Sequence, residues 1–137
     1  MTMQIRVPTR QDEKKINLFL DKNLSHQEYK AINNVESEYF AKNGALLVLE
    51  DDKTLIGLIG AFEQSPNVLT INHLIVNENF PNLNYHQNLF QVILNHAKRL
   101  HFDLLEVNIP YTSDDLNNFF KSNHFNYANT HILQLKI

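Results

Sequence analysis

The fold is decided by a stretch that opens with Leu69-Thr70-Ile71-Asn72-His73-Leu74-Ile75-Val76 and extends to Phe125. The opening run is short and mostly apolar, which is typical of a strand. After a turn, apolar residues recur at helical spacing and predict a helix from about Tyr85 to Leu100. A second apolar run predicts a strand from Asp103 to Ile109, and a short helix is predicted from Asp114 to Lys121.

Further elements on either side complete a single predicted domain over residues 1–137. They are a strand at 3–8, a helix capped by Thr9, a helix from Ser25 to about Phe40, a hairpin of 45–50 with 54–62, and a last strand at 131–137. Gly57 and Gly60 interrupt the hairpin and indicate a bulge or a close packing contact. The predicted order is β-α-α-β-β-β-α-β-α-β, an α/β fold with one mixed central sheet.

The composition narrows the classes of function. The chain has no Cys, which excludes disulfides, zinc–cysteine sites and thiol nucleophiles, and its seven His lack the spacing of metal ligands. The formal charge of -3 argues against a sequence-independent nucleic-acid partner. No apolar run approaches the ~20 residues that span a bilayer, and the first residues lack the apolar segment of a signal peptide. We therefore expect no metal, no nucleic acid, no membrane and a cytoplasmic location.

The order of elements resembles that of the GNAT family, the acetyl-CoA-dependent N-acetyltransferases, over nearly the whole chain. The run Leu55-Ile56-Gly57-Leu58-Ile59 is similar to the family's third strand, and Leu74-Ile75-Val76 followed by Pro81 is similar to its fourth strand and exit. Residues 97–107 resemble its helix-to-strand junction. The resemblance implies acetyl-CoA as co-substrate and direct attack by an amine, without a covalent enzyme intermediate. It also implies that the backbone of Leu74, Ile75 and Val76 pairs with the pantetheine arm.

The family's pyrophosphate loop, Arg/Gln-x-x-Gly-x-Gly/Ala, falls at the start of the predicted helix. Its positions correspond to Pro81, Asn82, Leu83, Asn84, Tyr85 and His86, so every signature letter differs. Amides at a helix start still attract phosphate, and Asn tolerates left-handed backbone well. The implied pyrophosphate contacts are the amides of Leu83, Asn84, Tyr85, His86 and Gln87. Weakened binding and no binding both remain open, with His86 either a phosphate donor or a residue of a solvated face.

The family's catalytic acid is also replaced. Many members carry Asn-x-x-Ala-x-x-Phe-Tyr-x-x-x-Gly-Phe, in which the Tyr hydroxyl protonates the departing thiolate. Here Ser113 takes the place of the Asn, Phe120 of the Tyr and His124 of the Gly, which implies that Ser113 and Phe120 lie at the cofactor. General acid assistance is worth ~10²–10⁴-fold, so its loss slows transfer without preventing it. Tyr111 and Tyr127 are alternative acids, or packing residues.

The candidates for the general base are His73 and Glu63. The family commonly uses a Glu, or a water held by the fourth and fifth strands. An unperturbed imidazole accepts a proton near neutral pH, which favours His73 over Glu63. The alternative role of His73 is that of a hydrogen-bonded structural residue in an apolar strand.

Two functions fit these observations. The first is an acetyl-CoA-dependent N-acetyltransferase that acts on a small-molecule or peptide amine bound above the fourth and fifth strands. There Glu28, Glu36 and Glu38 either favour a cationic amine or are simply solvated. The alternative is a catalytically lapsed GNAT-fold module that acts through protein–protein contacts, often as a homodimer. The altered phosphate loop and the missing Tyr favour the alternative, because fold alone does not certify activity.

Overall fold

One β-sheet organises the part of the chain that the computed structural model describes, residues 3–23, 43–77, 79–80, 83–108 and 114–137. The strands in these residues are β1 (Met3–Arg6), β2 (Ala45–Asp51), β3 (Thr54–Ser65), β4 (Val68–Val76), β5 (Leu104–Asn108), β6 (Asn126–Asn129) and β7 (Ile132–Lys136). The helices there are α1 (Glu13–Asn23), α2 (Leu83–Arg99) and α3 (Asp114–Ser122), and a 3-10 turn at Arg10–Asp12 precedes α1. The described strands form a seven-stranded sheet in the order β1-β2-β3-β4-β5-β7-β6.

The sheet is antiparallel except at its centre. Strands β1 to β4 form a meander in which each strand pairs antiparallel with the next. β4 and β5 are parallel, and the connection between them contains α2, because parallel strands need a long crossover. β5 pairs antiparallel with β7, and β7 pairs antiparallel with β6. The parallel pair therefore joins two antiparallel sets of strands.

Different helices cover the two faces of the sheet. α2 and α3 pack on one side, here called the α2 face, against alternate strand residues that include Leu47, Ile59, Ile71, Leu74, Leu105, Val107 and Leu133. α1 packs on the other side, the α1 face, where its buried residues Ile16, Phe19 and Leu20 meet Leu46, Val48, Leu58 and Ile75. Because successive residues of a strand point to opposite faces, these two sets fix the face of every other strand residue.

An ion-pair cluster fastens the turn before α1 to the sheet. Arg6 Nη1 and Nη2 each donate to the Asp12 carboxylate at 2.9 Å, and Arg6 Nε donates to Glu50 Oε1 at 2.7 Å. Glu50 is only 7% exposed and also accepts a bond from Gln4 Nε2 at 2.9 Å. The Arg6 guanidinium therefore holds the pKa of both carboxyls below their usual values. Asp12 also accepts the backbone N–H of Thr9 at 2.7 Å, and Thr9 is the N-cap of the 3-10 turn. The Thr9 hydroxyl donates to the Asp12 carboxylate at 3.2 Å, whereas the predicted cap had this hydroxyl accept a helix N–H.

The observed elements confirm the predicted mixed α/β fold. The helix predicted from Tyr85 to Leu100 begins two residues earlier and ends one residue earlier, as α2. β6 is absent from the predicted order, because its four residues are all exposed and show no apolar alternation. It is held through its antiparallel pairing with β7. The helix predicted from Ser25 to Phe40 lies outside the described residues.

Both α2 and α3 end on a histidine in left-handed conformation, His101 with φ 61° and His124 with φ 74°. At the end of α3, the N–H of Phe125 donates to the carbonyl oxygen of Phe120 at 3.1 Å, which is the bond pattern of a Schellman cap. Glycine usually occupies this position because it has no Cβ. His124, which takes the place of the Gly in the motif that the sequence resembles, thus has the backbone conformation that glycine usually supplies.

Candidate active site

The central feature of the site is the point at which β4 and β5 stop pairing. Their residue pairs run from Val68 with Leu104 to Ile71 with Val107. β4 continues to Val76 along β3, and no described strand pairs with its other edge over this last part. A strand edge of this kind presents N–H and C=O groups that can pair with an extended ligand.

A β-bulge marks the same point. Ile71 lies opposite Ala61 and His73 lies opposite Gly60, so Asn72 is an extra residue on β4. A bulge bends the strand and increases its twist. The bulge directly follows the last described pair with β5, so β4 changes direction where that pairing ends. The space along the unpaired edge of β4 beyond this point is here called the cleft.

Two of the three predicted backbone positions on β4 are directed toward this cleft. The N–H of Asn77 donates to the carbonyl oxygen of Ile56 at 2.7 Å, so Asn77 faces β3. Peptide groups alternate in direction along a strand, and those of Leu74 and Val76 are therefore directed away from β3. The peptide group of Ile75 is directed toward β3, and its side chain belongs to the core on the α1 face.

Asn77 also organises the turn that leads from β4 toward α2, a role that the sequence analysis missed. Its carbonyl oxygen accepts the N–H of Phe80 at 2.8 Å, and its side-chain Oδ1 accepts the N–H of Asn79 at 3.0 Å. Asn commonly bonds the backbone two residues further along in this way. An Asn directly after a predicted strand was the available signal.

The first turn of α2, which begins at Leu83, lies at the end of this connection. The first N–H groups of a helix have no partner within the helix, and the first turn of α2 carries no acidic residue. Asn84 is exposed, whereas the side chains of Tyr85, His86 and Gln87 are half-buried. The described part of the predicted loop, residues 83–86, is thus the start of a helix whose amides and dipole favour an anion.

Gly57 on β3 determines how closely α2 lies on the sheet. A Cβ at this position would be 3.0 Å from Leu89 Cδ1, 3.1 Å from the carbonyl oxygen of Ile75 and 3.4 Å from Val76 Cγ2. The absence of a side chain therefore lets Leu89 of α2 and the end of β4 approach β3 closely. The predicted close packing contact at Gly57 is confirmed.

Phe120 is a core residue, 1% exposed, with its ring 5.4 Å from that of Phe119 and 5.1 Å from that of Phe125. It offers no proton to a leaving group. The ring of His86 lies 5.9 Å from that of Phe119, which joins the first turn of α2 to α3. His86 is consequently half-buried between two helices, so the alternative of a solvated face is wrong.

His73 lies on the α1 face, just after the bulge, and is half-buried. Burial lowers the pKa of its imidazole to about 4, because desolvation penalises the charged form. The ring is therefore neutral at pH 7 and able to accept a proton, although it is a weaker base than an exposed histidine. Its role as the base stays a prediction.

Glu63 lies at the other end of the β3–β4 hairpin, opposite Leu69. Its carboxylate accepts the backbone N–H of Asn67 at 3.2 Å and the side-chain Nδ2 of Asn43 at 3.3 Å. The fold therefore does not bring Glu63 together with His73 at the cleft, and the carboxylate is engaged in the turn.

Two polar residues that the sequence analysis did not select lie beside the cleft. Thr70 and Glu106 are directly opposite each other on β4 and β5, both on the α1 face, one residue before pairing ends. Glu106 Oε1 accepts a bond from Gln134 Nε2 at 2.9 Å. A carboxylate in the apolar run from Leu104 to Val107 was a signal, but its closeness to Thr70 depends on strand register.

Of the other predicted residues, only Tyr127 belongs to the described part of the chain. Tyr127 is 57% exposed on β6, with Lys121 Nζ 4.7 Å from its ring centroid. Pro81, Asn82, Tyr111, Ser113, Glu28, Glu36 and Glu38 lie outside the described residues. Within the described ranges, no group of three His, Cys, Asp or Glu side chains could hold a metal ion. No helix in those ranges is long and apolar enough to cross a membrane.

Comparison with known proteins identifies the family. The model of the acetyltransferase (GNAT) family matches residues 10–125, and the chain belongs to that family. No curated protein matches the chain. Among solved structures, the chain superposes on the PaiA N-acetyltransferase of Thermoplasma acidophilum in complex with coenzyme A with a TM-score of 0.85, at 16% identity over 100% of both chains.

Two other solved structures have the same fold. A GNAT-family acetyltransferase of Staphylococcus aureus Mu50 gives a TM-score of 0.82 at 15% identity, over 98% of this chain and 99% of the other. YncA of Salmonella typhimurium with its cofactor acetyl-CoA gives a TM-score of 0.76 at 12% identity, over 98% of this chain and 93% of the other. At these identities the likeness shows a shared fold.

Proposed function

We propose that the protein is an N-acetyltransferase that transfers the acetyl group of acetyl-CoA directly to an amine. The observation that carries this proposal is the open edge of β4 beside the start of α2. The peptide groups of Leu74 and Val76 are directed into the cleft, and the connection through Asn77 leads from that edge to the first turn of α2.

In this proposal the pantetheine arm lies along the open edge as an added strand, with its amides bonded to the backbone of Leu74 and Val76. The pyrophosphate is bound by the N–H groups of residues 83–87, which need no particular side chain. A backbone site of this kind tolerates the loss of the signature glycines. The structures of relatives with coenzyme A and acetyl-CoA support this assignment through the shared fold.

The amine nitrogen attacks the thioester carbonyl carbon, so that a C–N bond forms and the C–S bond breaks. The sulfur leaves as the CoA thiolate. Since Phe120 is a buried hydrocarbon ring, the thiolate takes its proton from water. The ammonium form of the acceptor first loses one proton, to solvent or to neutral His73, because only the neutral amine is nucleophilic. As the amide forms, the nitrogen loses a second proton to solvent, directly or through His73.

Calorimetric titration with acetyl-CoA at low salt tests the cofactor site. We expect micromolar binding by the wild type and a loss of about tenfold or more in Asn84→Pro. Proline at the second position of a helix removes one amide donor that has no helical partner, so the helix itself persists. Asp115→Pro makes the same change at the second position of α3 and is the matched control, for which unchanged affinity is expected.

The titration tests separately whether acetyl-CoA binds to the protein and whether its pyrophosphate lies at the start of α2. Equal affinity for wild type and Asn84→Pro would show that the pyrophosphate lies elsewhere. No binding and no thermal shift up to millimolar acetyl-CoA would end the enzyme proposal, since a ligand that binds only the native state must stabilise it.

The second candidate function is a GNAT-fold module that acts through protein contacts, and the buried Phe120 favours it because this residue offers no general acid. Sedimentation of the purified protein tests the homodimer form of this candidate. A dimer that persists at micromolar concentration, together with an absence of acetyl-CoA binding, is the result expected for the module.

A further inference from the structure

The side-chain hydroxyl of Thr70 is buried and has no hydrogen-bond partner in the described structure. The residue is 6% exposed, and no hydrogen-bond partner of Oγ1 lies in the structure as described. Buried hydroxyls are normally bonded, so a native structure that leaves one without a partner calls for an explanation such as a ligand. Thr70 lies on the α1 face of β4, directly before the last pair with β5.

Glu106 is the residue of β5 directly opposite Thr70, on the same face of the sheet. The two residues are partners in the parallel ladder, and neighbouring strands are about 4.8 Å apart. Gln134 Nε2 donates to Glu106 Oε1 at 2.9 Å and thereby fixes the carboxylate. A carboxylate has about four acceptor positions, so this bond leaves it able to accept others.

Glu106 also lacks a cationic counterpart of its own in the described structure. The ion pairs of Arg6 with Asp12 and Glu50 lie at the far edge of the sheet, away from Glu106. Glu106 is half-buried, so its carboxylate is partly shielded from water and is stabilised by a cation. The site therefore has one negative charge and one hydroxyl, with an external cation as the natural complement.

We propose that Thr70 and Glu106, with Glu106 positioned by Gln134, bind the ammonium group of a primary-amine acceptor. An ammonium group has three N–H donors, of which the carboxylate and the hydroxyl take two. The site is one residue from the opening of the cleft, about 3.3 Å along the strand. This inference rests on the proposed function, because it places the acceptor next to the acyl group.

The surroundings of the site suit a cation. His73 lies on the same face past the bulge, and burial keeps its ring neutral at pH 7 by lowering its pKa to about 4. It therefore adds no repulsion. The site should also bind a primary ammonium group in preference to two other groups. An alcohol lacks the positive charge, and a quaternary ammonium group lacks the N–H donors.

Titration of the isotopically labelled protein with n-butylammonium chloride, followed by NMR of the backbone amides, tests this inference. We expect a saturable shift of the amides around Thr70 and Glu106. Glu106→Gln should weaken binding at least tenfold and Thr70→Val severalfold. Thr70→Ser retains the hydroxyl and should retain the affinity. Asp115→Asn removes an exposed carboxylate on the opposite face of the sheet and is the control, with unchanged affinity.

The comparison ligands are n-butanol and tetramethylammonium chloride, and neither should produce the saturable shift. Equal binding of either ligand, equal affinity of Glu106→Gln, or no saturable shift in the wild type would overturn the inference. Acetyl-CoA is titrated separately by calorimetry. If acetyl-CoA binds and butylammonium does not, the inference fails and the proposed function stands. If butylammonium alone binds, the acceptor role fails, because no acyl donor reaches the ammonium group.

Discussion

Replacing Gly57 by Ala tests how closely α2 lies on the sheet. The added Cβ would meet Leu89 Cδ1 at 3.0 Å and the carbonyl oxygen of Ile75 at 3.1 Å, both closer than ordinary van der Waals contacts. The side chain of Leu89 is fully buried, and the carbonyl oxygen of Ile75 is part of the backbone of β4. Neither atom therefore has open space to move into.

Two effects of opposite sign determine how much Gly57→Ala changes the free energy of unfolding. Overpacking of a well-filled core costs about 1–3 kcal/mol. Replacing Gly by Ala also reduces the entropy of the unfolded chain, which stabilises the protein by about 0.4–1 kcal/mol. We therefore expect Gly57→Ala to lower the free energy of unfolding by about 1–2 kcal/mol. The melting temperature should fall by about 4 °C for each kcal/mol.

Urea unfolding of four proteins measures this effect: wild type, Gly57→Ala, Leu89→Ala and the double variant. Leu89→Ala alone should cost about 2–5 kcal/mol through the cavity that it leaves. In that background Gly57→Ala should cost less, since one of its close contacts is gone. A neutral or stabilising effect of Gly57→Ala in the wild-type background would refute the close-packing argument.

Three further predictions concern polar groups. Thr70→Val should raise the free energy of unfolding by about 1 kcal/mol, because it removes a buried hydroxyl that has no described partner; a loss of stability in urea unfolding would contradict this. The His73 imidazole should titrate near pH 4 by NMR, and a value near 6.5 would contradict the effect assigned to burial. Because its folded pKa lies below the unfolded value, stability should fall by at most about 3 kcal/mol as the pH drops from 6.5 to 4, and less in His73→Gln. Arg6→Met should cost about 2 kcal/mol at pH 7 by leaving Glu50 buried without its cation, and a loss below about 0.5 kcal/mol would contradict this. That difference should shrink below about pH 4, as the pKa of Glu50 and Asp12 is lowered in the folded protein and their contribution is lost on protonation.

The sequence predicts those parts of the fold that depend on local patterns. The apolar stripe of α2 and the short apolar runs of the central strands are periodic, and the Thr9–Asp12 cap is a pattern of four residues. β6 escapes prediction because its exposed residues carry no periodic signal. Its position is fixed by pairing with β7, which no local pattern reveals.

The candidate site is less predictable, because it depends on register between distant segments. The bulge at Asn72 exists only relative to the pairing of β3 with β4. Glu106 is a carboxylate in an apolar run, but Thr70 and Glu106 become neighbours only through the parallel ladder, which no local pattern specifies. The pKa of His73 follows from burial by elements that a strand pattern does not specify. The backbone positions at Leu74 and Val76 were accessible through the family resemblance.

The parallel pair at the centre of the sheet has a kinetic consequence. β1 to β4 are hairpin neighbours apart from the longer connection after β1, whereas β4 and β5 meet only after the chain has closed the long crossover that contains α2. Contacts between distant segments form slowly, because the entropy of loop closure is lost before they stabilise the chain. We therefore expect the four residue pairs between β4 and β5 to form late in folding. We expect the protein to become able to bind a ligand in the cleft only in that last step. A ligand that contacts both β4 and β5 should slow the separation of the two strands.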